Sequence, residues 1–185
     1  MADLVAALKA DPGAVSWAGG SAGGTDHIAV GLIAQAAGVD PTKINYIAYS
    51  GGGEALAAML GGQVTAGISG YGEWQGQIES GDLRALAISY PEPIEGIEAQ
   101  PLKAQGIDIE LVNWRGIFAG PDLAEADKAA LEQAIAQTVQ SPEWKELLAA
   151  RGWSDYYAPS DEFTAFIASE SERVKSILTS IGLAE

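Results

Sequence analysis

Eleven residues near the start of the chain, Trp17-Ala-Gly-Gly-Ser-Ala-Gly-Gly-Thr-Asp-His27, set four glycines between a short apolar run and a helix-like stretch. A glycine-rich passage from strand to helix leaves backbone N–H groups unpaired at the helix start, where the helix dipole also favours negative charge. The chemistry such a turn offers is anion binding. A second turn of the same design, Tyr49-Ser-Gly-Gly-Gly-Glu54, follows one strand–helix unit later. Together they suggest a ligand with more than one acidic group. The candidate ligand contacts are Gly20, Ser21, Ala22, Gly23, Gly24 and Thr25 in the first turn, and Ser50, Gly51, Gly52 and Gly53 in the second.

A third turn, Ser69-Gly-Tyr-Gly-Glu-Trp74, adds Tyr71, whose hydroxyl can donate while its ring walls a pocket. Glu73 would repel a carboxylate, so it either points away or meets an amine or hydroxyl; a packed aromatic after a plain turn is the simpler alternative. Asp26 complements the dipole of the helix it opens. His27 is the single histidine. It could be paired with Ser21 as base and nucleophile, but the segment is not a Gly-x-Ser-x-Gly elbow, and packing or capping accounts for it. Arg115, in Asn113-Trp-Arg-Gly116, is the best positive charge near the expected cleft, as an anion contact or as half of a structural ion pair. Neither leading turn has dinucleotide-fingerprint spacing, Asp40 notwithstanding, and neither ends in the Gly-Lys-Ser/Thr of a phosphate loop. With one histidine, no cysteine and scattered acids, no metal, cofactor or catalytic group is expected.

The elements that must position these turns alternate. A helix over 2–9 is closed by Asp11-Pro-Gly13. Then come strand 14–18, helix 26–37, strand 44–48, helix 54–60, strand 64–69, helix 72–79 and strand 83–89. This predicts an α/β fold with a largely parallel sheet, whose ligands sit beyond the carboxyl ends of the strands. A short helix near 102–105 and an extended run over 109–119 follow. After Gly120 the texture is helical: Asp122 with Glu125 has capping-box spacing, Ser141-Pro142 reads as N-cap and first helical residue, and Ser160 opens a last helix with Phe163, Phe166, Ile167, Val174, Ile177 and Leu178 near helical spacing. The expected organisation is an α/β ligand-binding lobe over 1–119 and a helical region over 120–185.

The net charge of −15 and pI near 4.2 oppose binding to nucleic acid or to anionic membranes. They also mean that an anion site must act at short range, through N–H groups and dipoles. No apolar run approaches the roughly 18–20 residues that span a bilayer. Met1-Ala-Asp-Leu4 lacks the basic start and long apolar core of a signal peptide, which reads as a cytoplasmic chain or as a mature or trimmed one.

Five segments in order resemble the substrate-binding proteins of tripartite tricarboxylate transporters, the Bug or TctC-type family: Gly19–His27, Ile47-Ala-Tyr-Ser-Gly-Gly-Gly-Glu-Ala55, Leu60-Gly-Gly-Gln-Val-Thr-Ala-Gly67, Gly81-Asp-Leu-Arg-Ala-Leu-Ala-Ile88 and Asn113-Trp-Arg-Gly-Ile-Phe118. The resemblance implies a periplasmic, two-lobed binding protein of the type II periplasmic-binding-protein kind. Such a protein takes up a small organic carboxylate and delivers it to membrane subunits, and it is not an enzyme. It implies that the turns matching Ser21–Thr25 and Ser50–Gly53 hold a ligand carboxylate through N–H groups and ordered water. Family members are longer, and the unmatched part would be the signal peptide and the first half of lobe one. That leaves a surface through which this chain could self-associate. The rival expectations are a small α/β enzyme using His27 and a carboxylate, and a non-binding, self-associating fragment.

Overall fold

The computed structural model describes residues 1–184 and divides into two compact units. The first holds Met1–Asn113 together with the residues from Val174 on, and the second holds Trp114–Arg173. The division follows packing, whereas the boundary expected near Gly120 follows composition.

The first unit is built on three short parallel strands in the order β2-β1-β3. Strand β1 (Ser16–Gly19) is central, and three of its four residues are buried, as expected of a strand covered on both faces. It pairs with β2 (Asn45–Ala48) in the register Ser16↔Asn45 to Gly19↔Ala48, and with β3 (Ala66–Gly67) through Trp17↔Ala66 and Ala18↔Gly67. The expected strand over 64–69 is thus regular for two residues only. Single bonds from Thr65 N to Ser16 O (3.0 Å) and from Ile68 N to Ala18 O (2.9 Å) prolong the ladder at each end.

Helices α1 (Ala2–Ala10), α2 (Thr25–Ala36), α3 (Gly52–Leu60) and α4 (Tyr71–Glu79) match the four expected in this region to within two residues at either end. Helix α2 is the most deeply set: Ile28, Ala29, Val30, Ile33 and Ala34 are all buried. It ends in a Schellman turn, with Gly38 at φ +75° and Val39 N donating to Ala34 O at 2.9 Å. The main core gathers Leu8, Val15, Trp17, Val30, Ile33, Leu102, Ile107 and Ile109. A smaller one joins Ile28, Ala29 and Leu111 to Val174, Ile177 and Leu178 of the last helix.

Two expectations are corrected. Residues 83–89 do not form a strand. Ile88 makes one parallel bridge to Pro101, with Ile88 N donating to Gln100 O (3.2 Å) and Leu102 N to Ile88 O (2.8 Å). The bridge is isolated and does not lengthen into a ladder. Nor does Asp122 cap a helix: α5 (Glu125–Gln140) starts after Ala124, with no side-chain cap. The other two helical starts stand. Ser141 caps α6 (Pro142–Arg151), its Oγ accepting from Trp144 N at 3.2 Å, and Ser160 is the first residue of α7 (Ser160–Ser180). Within the second unit the packing is aromatic, with Trp114 edge-on to Phe163 (5.8 Å) and to Phe166 (5.4 Å).

Candidate functional site

Because all three strands are parallel, they end on one edge of the sheet, at Gly19, Ala48 and Gly67. All three glycine turns therefore lie side by side there. The first two are tied directly, since Tyr49 N donates to Gly19 O at 2.9 Å. That edge, crowned by the starts of α2, α3 and α4, is the candidate site.

The first turn is held at both ends by side chains. Gly20 N donates to Asp26 Oδ2 at 2.8 Å, and Gly20 O accepts from Tyr46 Oη at 2.8 Å. Gly23, at φ +75°, donates its N–H to His27 Nδ1 at 3.2 Å, and Gly24 N closes on Ser21 O at 3.0 Å. The rings of His27 and Tyr46 stack face to face, 4.1 Å apart and 1° from parallel. Glycine at position 19 is required by this closeness: a Cβ would collide with Tyr46 Oη and come within 2.9 Å of Asp26 Cβ and 3.1 Å of Ile68 Cγ2. Three of the glycine N–H groups are thus engaged inside the turn. Those of Ser21, Ala22 and Thr25 have no hydrogen-bond partner among the described residues, and Ser21 and Ala22 are exposed.

The second turn is built differently. Ser50 N donates to Glu54 Oε2 at 3.1 Å, so the α3 carboxylate reaches back over its own helix start in the manner of a capping box. The N–H groups of Gly51, Gly52 and Gly53 have no partner among the described residues, and a Cβ at Gly51 or Gly53 would meet nothing within 4 Å. Gly52 alone is enclosed. Its carbonyl accepts from Trp74 Nε1 at 2.9 Å, and a Cβ would lie 2.6 Å from both Ser69 Oγ and Glu73 Oε2. In the third turn the Ser69 hydroxyl donates to that same Glu73 carboxylate, and Tyr71 is the first residue of α4.

One rule runs through the edge: the first turn of each helix carries a carboxylate that accepts from the strand-to-helix turn. Asp26 takes Gly20, Glu54 takes Ser50, and Glu73 takes Ser69. Their environments differ. Burial raises the Asp26 carboxyl above its ordinary value; the Gly20 bond opposes this, and nearby Glu73 adds to it. Burial also lowers the His27 imidazole, favouring its neutral form, and pushes the Tyr46 hydroxyl well above its usual range, with Asp26 contributing. The exposed Glu54 is held below the ordinary carboxylate range by the Ser50 hydroxyl and N–H. Among the described residues no three His, Cys, Asp or Glu side chains gather as metal ligands would.

The structure thus brings Gly20, Ser21, Ala22, Gly23, Gly24, Thr25, Asp26 and His27 together with Ser50, Gly51, Gly52, Gly53, Tyr71 and Glu73. Arg115 belongs to the second unit, where its guanidinium lies 5.7 Å from the Trp153 ring centre and donates to the Trp114 carbonyl. Sequence reasoning did not single out Tyr46, Glu54 or Trp74, each of which bonds to a turn. Glu54 had a local signal, an acid four residues after Ser50 at a helix start; Tyr46 and Trp74 bond to residues 26 and 22 positions away and have none.

Comparison with known proteins agrees with the architecture. The family model described as the tripartite tricarboxylate transporter family receptor, TctC, matches residues 1–183. Protein BugT of Bordetella pertussis is 32% identical over 181 residues, covering 97% of this chain and 55% of its own length. The UPF0065 protein in the gbd 5′ region of Cupriavidus necator is 27% identical over 186 residues, covering 100% and 56%. The chain therefore spans about half the length of the curated relatives it matches. Among solved structures, a TctC solute binding protein from Polaromonas, without ligand, superposes with a TM-score of 0.73 at 26% identity over 96% of this chain and 60% of its own. An R. palustris protein with adipate superposes with a TM-score of 0.85 at 19% identity, over 100% and 61%, a likeness of fold.

Proposed function

We propose that this chain, which belongs to the tripartite tricarboxylate transporter receptor family, captures a small organic carboxylate at the shared edge of its three parallel strands. Its relatives are solute-binding receptors rather than enzymes. The observation that carries the reading is the juxtaposition of two helix starts, α2 and α3, on adjoining strands. Each has backbone donors that no other described residue uses: Ser21, Ala22 and Thr25 on one, Gly51, Gly52 and Gly53 on the other. A carboxylate presents four lone-pair sites, and two such donor sets can share them.

The charge of the molecule limits how this works. With a net charge of −15, and Asp26, Glu54 and Glu73 along the same edge, the long-range field repels an anion. Capture therefore depends on short, oriented N–H bonds at the helix starts. Tyr71 at the start of α4 closes one side of the ligand. The lobe over 1–119 carries the site and a helical region over 120–185 follows it; the protein works in the periplasm and hands its ligand to the membrane subunits of the transporter. The R. palustris neighbour with adipate supports an open-chain acid as ligand class. Calorimetric titration of the folded chain with di- and tricarboxylates tests this. Saturable binding that weakens when Ser21 and Gly53 are replaced together by proline is the expected result. Absence of heat with every member of the panel would reject the reading for this chain.

A further inference from the structure

We infer that Asp26, Tyr46 and His27 form a positioning brace that presets the first glycine turn, gripping it at Gly20 and Gly23 so that the donors between them are presented already in place. The peptide unit at Gly20 is held from two elements at once. Asp26 of α2 takes its N–H at 2.8 Å, and Tyr46 of β2 gives its hydroxyl to the carbonyl at 2.8 Å. Three residues on, His27 takes the Gly23 N–H at 3.2 Å, and its ring lies flat against the ring of that same Tyr46, 4.1 Å away. The links close a loop, Asp26–Gly20–Tyr46–His27–Gly23, around exposed Ser21 and Ala22.

The Asp26 clamp is not generic helix capping. An acid in the first turn normally satisfies its own helix start, but Asp26 reaches back six residues to Gly20. Its burial raises the carboxyl, an unfavourable setting that the turn geometry imposes. His27 accepts through Nδ1, so the ring must be neutral with its proton on Nε2, and its burial favours the neutral form. Fixing a loop before binding removes the ordering cost that a ligand would otherwise meet. The brace rests on the carboxylate reading only for its effect on affinity; its effect on the turn stands by itself.

The test uses the full chain. Tyr46→Phe removes the hydroxyl and keeps the ring stack; His27→Gln, as a second variant, removes the stack. In ligand-free protein, Tyr46→Phe is expected to speed amide exchange at Gly20 and Gly23 about tenfold, with Val30 and Ile33 in the body of α2 unchanged. Nitrogen-15 spectra should show His27 Nδ1 unprotonated. Carboxylate affinity should fall about five- to tenfold in each variant. Unchanged turn exchange, exchange raised throughout the unit, or a proton on Nδ1 would each overturn the brace. Wild-type binding with undiminished affinity in both variants would overturn it too and leave the carboxylate reading intact. If the wild type binds no carboxylate, that reading fails, and the exchange and nitrogen measurements still decide the brace.

Discussion

The two glycine turns look alike in sequence and are opposites in construction. The first is gripped by three side chains and spends the N–H groups of Gly20, Gly23 and Gly24 on internal bonds. The second is held by two, the Glu54 carboxylate on Ser50 and the Trp74 indole on the Gly52 carbonyl, and leaves Gly51, Gly52 and Gly53 with unengaged N–H groups. In the first, glycine serves close approach; in most of the second, it serves none that the fold requires. The lesson is that glycine content marks where backbone is exposed, whereas the neighbouring side chains decide whether that backbone is rigid or adaptable. Under the proposed reading, one stiff and one compliant wall would hold a carboxylate in register and still accommodate different bodies behind it.

Substitution by alanine breaks the comparison most sharply. Gly19→Ala forces a methyl group against Tyr46, Asp26 and Ile68, and is expected to cost about 1–3 kcal/mol in urea denaturation. Gly52→Ala meets the ends of Ser69 and Glu73, one of them a flexible side chain that can move, so about 1 kcal/mol is expected, with the Ser69–Glu73 bond lost. At Gly53 the sign reverses. The position is helical, exposed and open, so alanine should stabilise by about 0.5–1 kcal/mol. Equal costs at Gly19 and Gly53 would erase the distinction between the walls.

The pH dependence sharpens it further, with smaller effects. The raised Asp26 carboxyl makes the folded chain hold more protons than the unfolded one between its ordinary and its raised value. Stability therefore falls as pH climbs through that window and stays lower above it. Asp26→Asn should accordingly raise Tm at neutral pH and lose that advantage in acid. His27, lowered by burial, works the other way: its contribution is in force above the ordinary imidazole value and is lost as pH falls through its lowered value. Glu54, held low by Ser50, likewise contributes above the ordinary carboxylate range and loses that contribution as pH falls through its lowered value. The smallest effect expected is in Ser50→Ala, where the Glu54 carboxyl should return towards its ordinary value in a carbon-13 titration.

The alternation of strands and helices, the three turns and their common edge were legible in the sequence, because periodicity and glycine placement are local properties. The outcome at 83–89 was not, since whether that segment pairs depends on a distant stretch of chain, which meets it in a single bridge, Ile88 to Pro101. Asp122 had the right spacing for a cap and the wrong chain path: the helix begins after Ala124. At the site, the turn residues could be read directly, but Tyr46 could not. Its hydroxyl reaches Gly20 only because β2 lies parallel beside β1 with Trp17 opposite Tyr46, a register that no local pattern encodes. Trp74 escaped notice for the same reason, as its partner Gly52 is 22 residues away.

That indole has a further use. Trp74 is buried, and its N–H is bonded to the carbonyl of the first residue of α3, so the chromophore senses the electric field at the start of that helix. A charged guest settling on Gly51–Gly53 should shift its emission. The difference spectrum between the wild type and Trp74→Phe would then isolate that shift from the signals of the other tryptophans. The compliant wall therefore carries its own optical gauge, readable in a cuvette without any label.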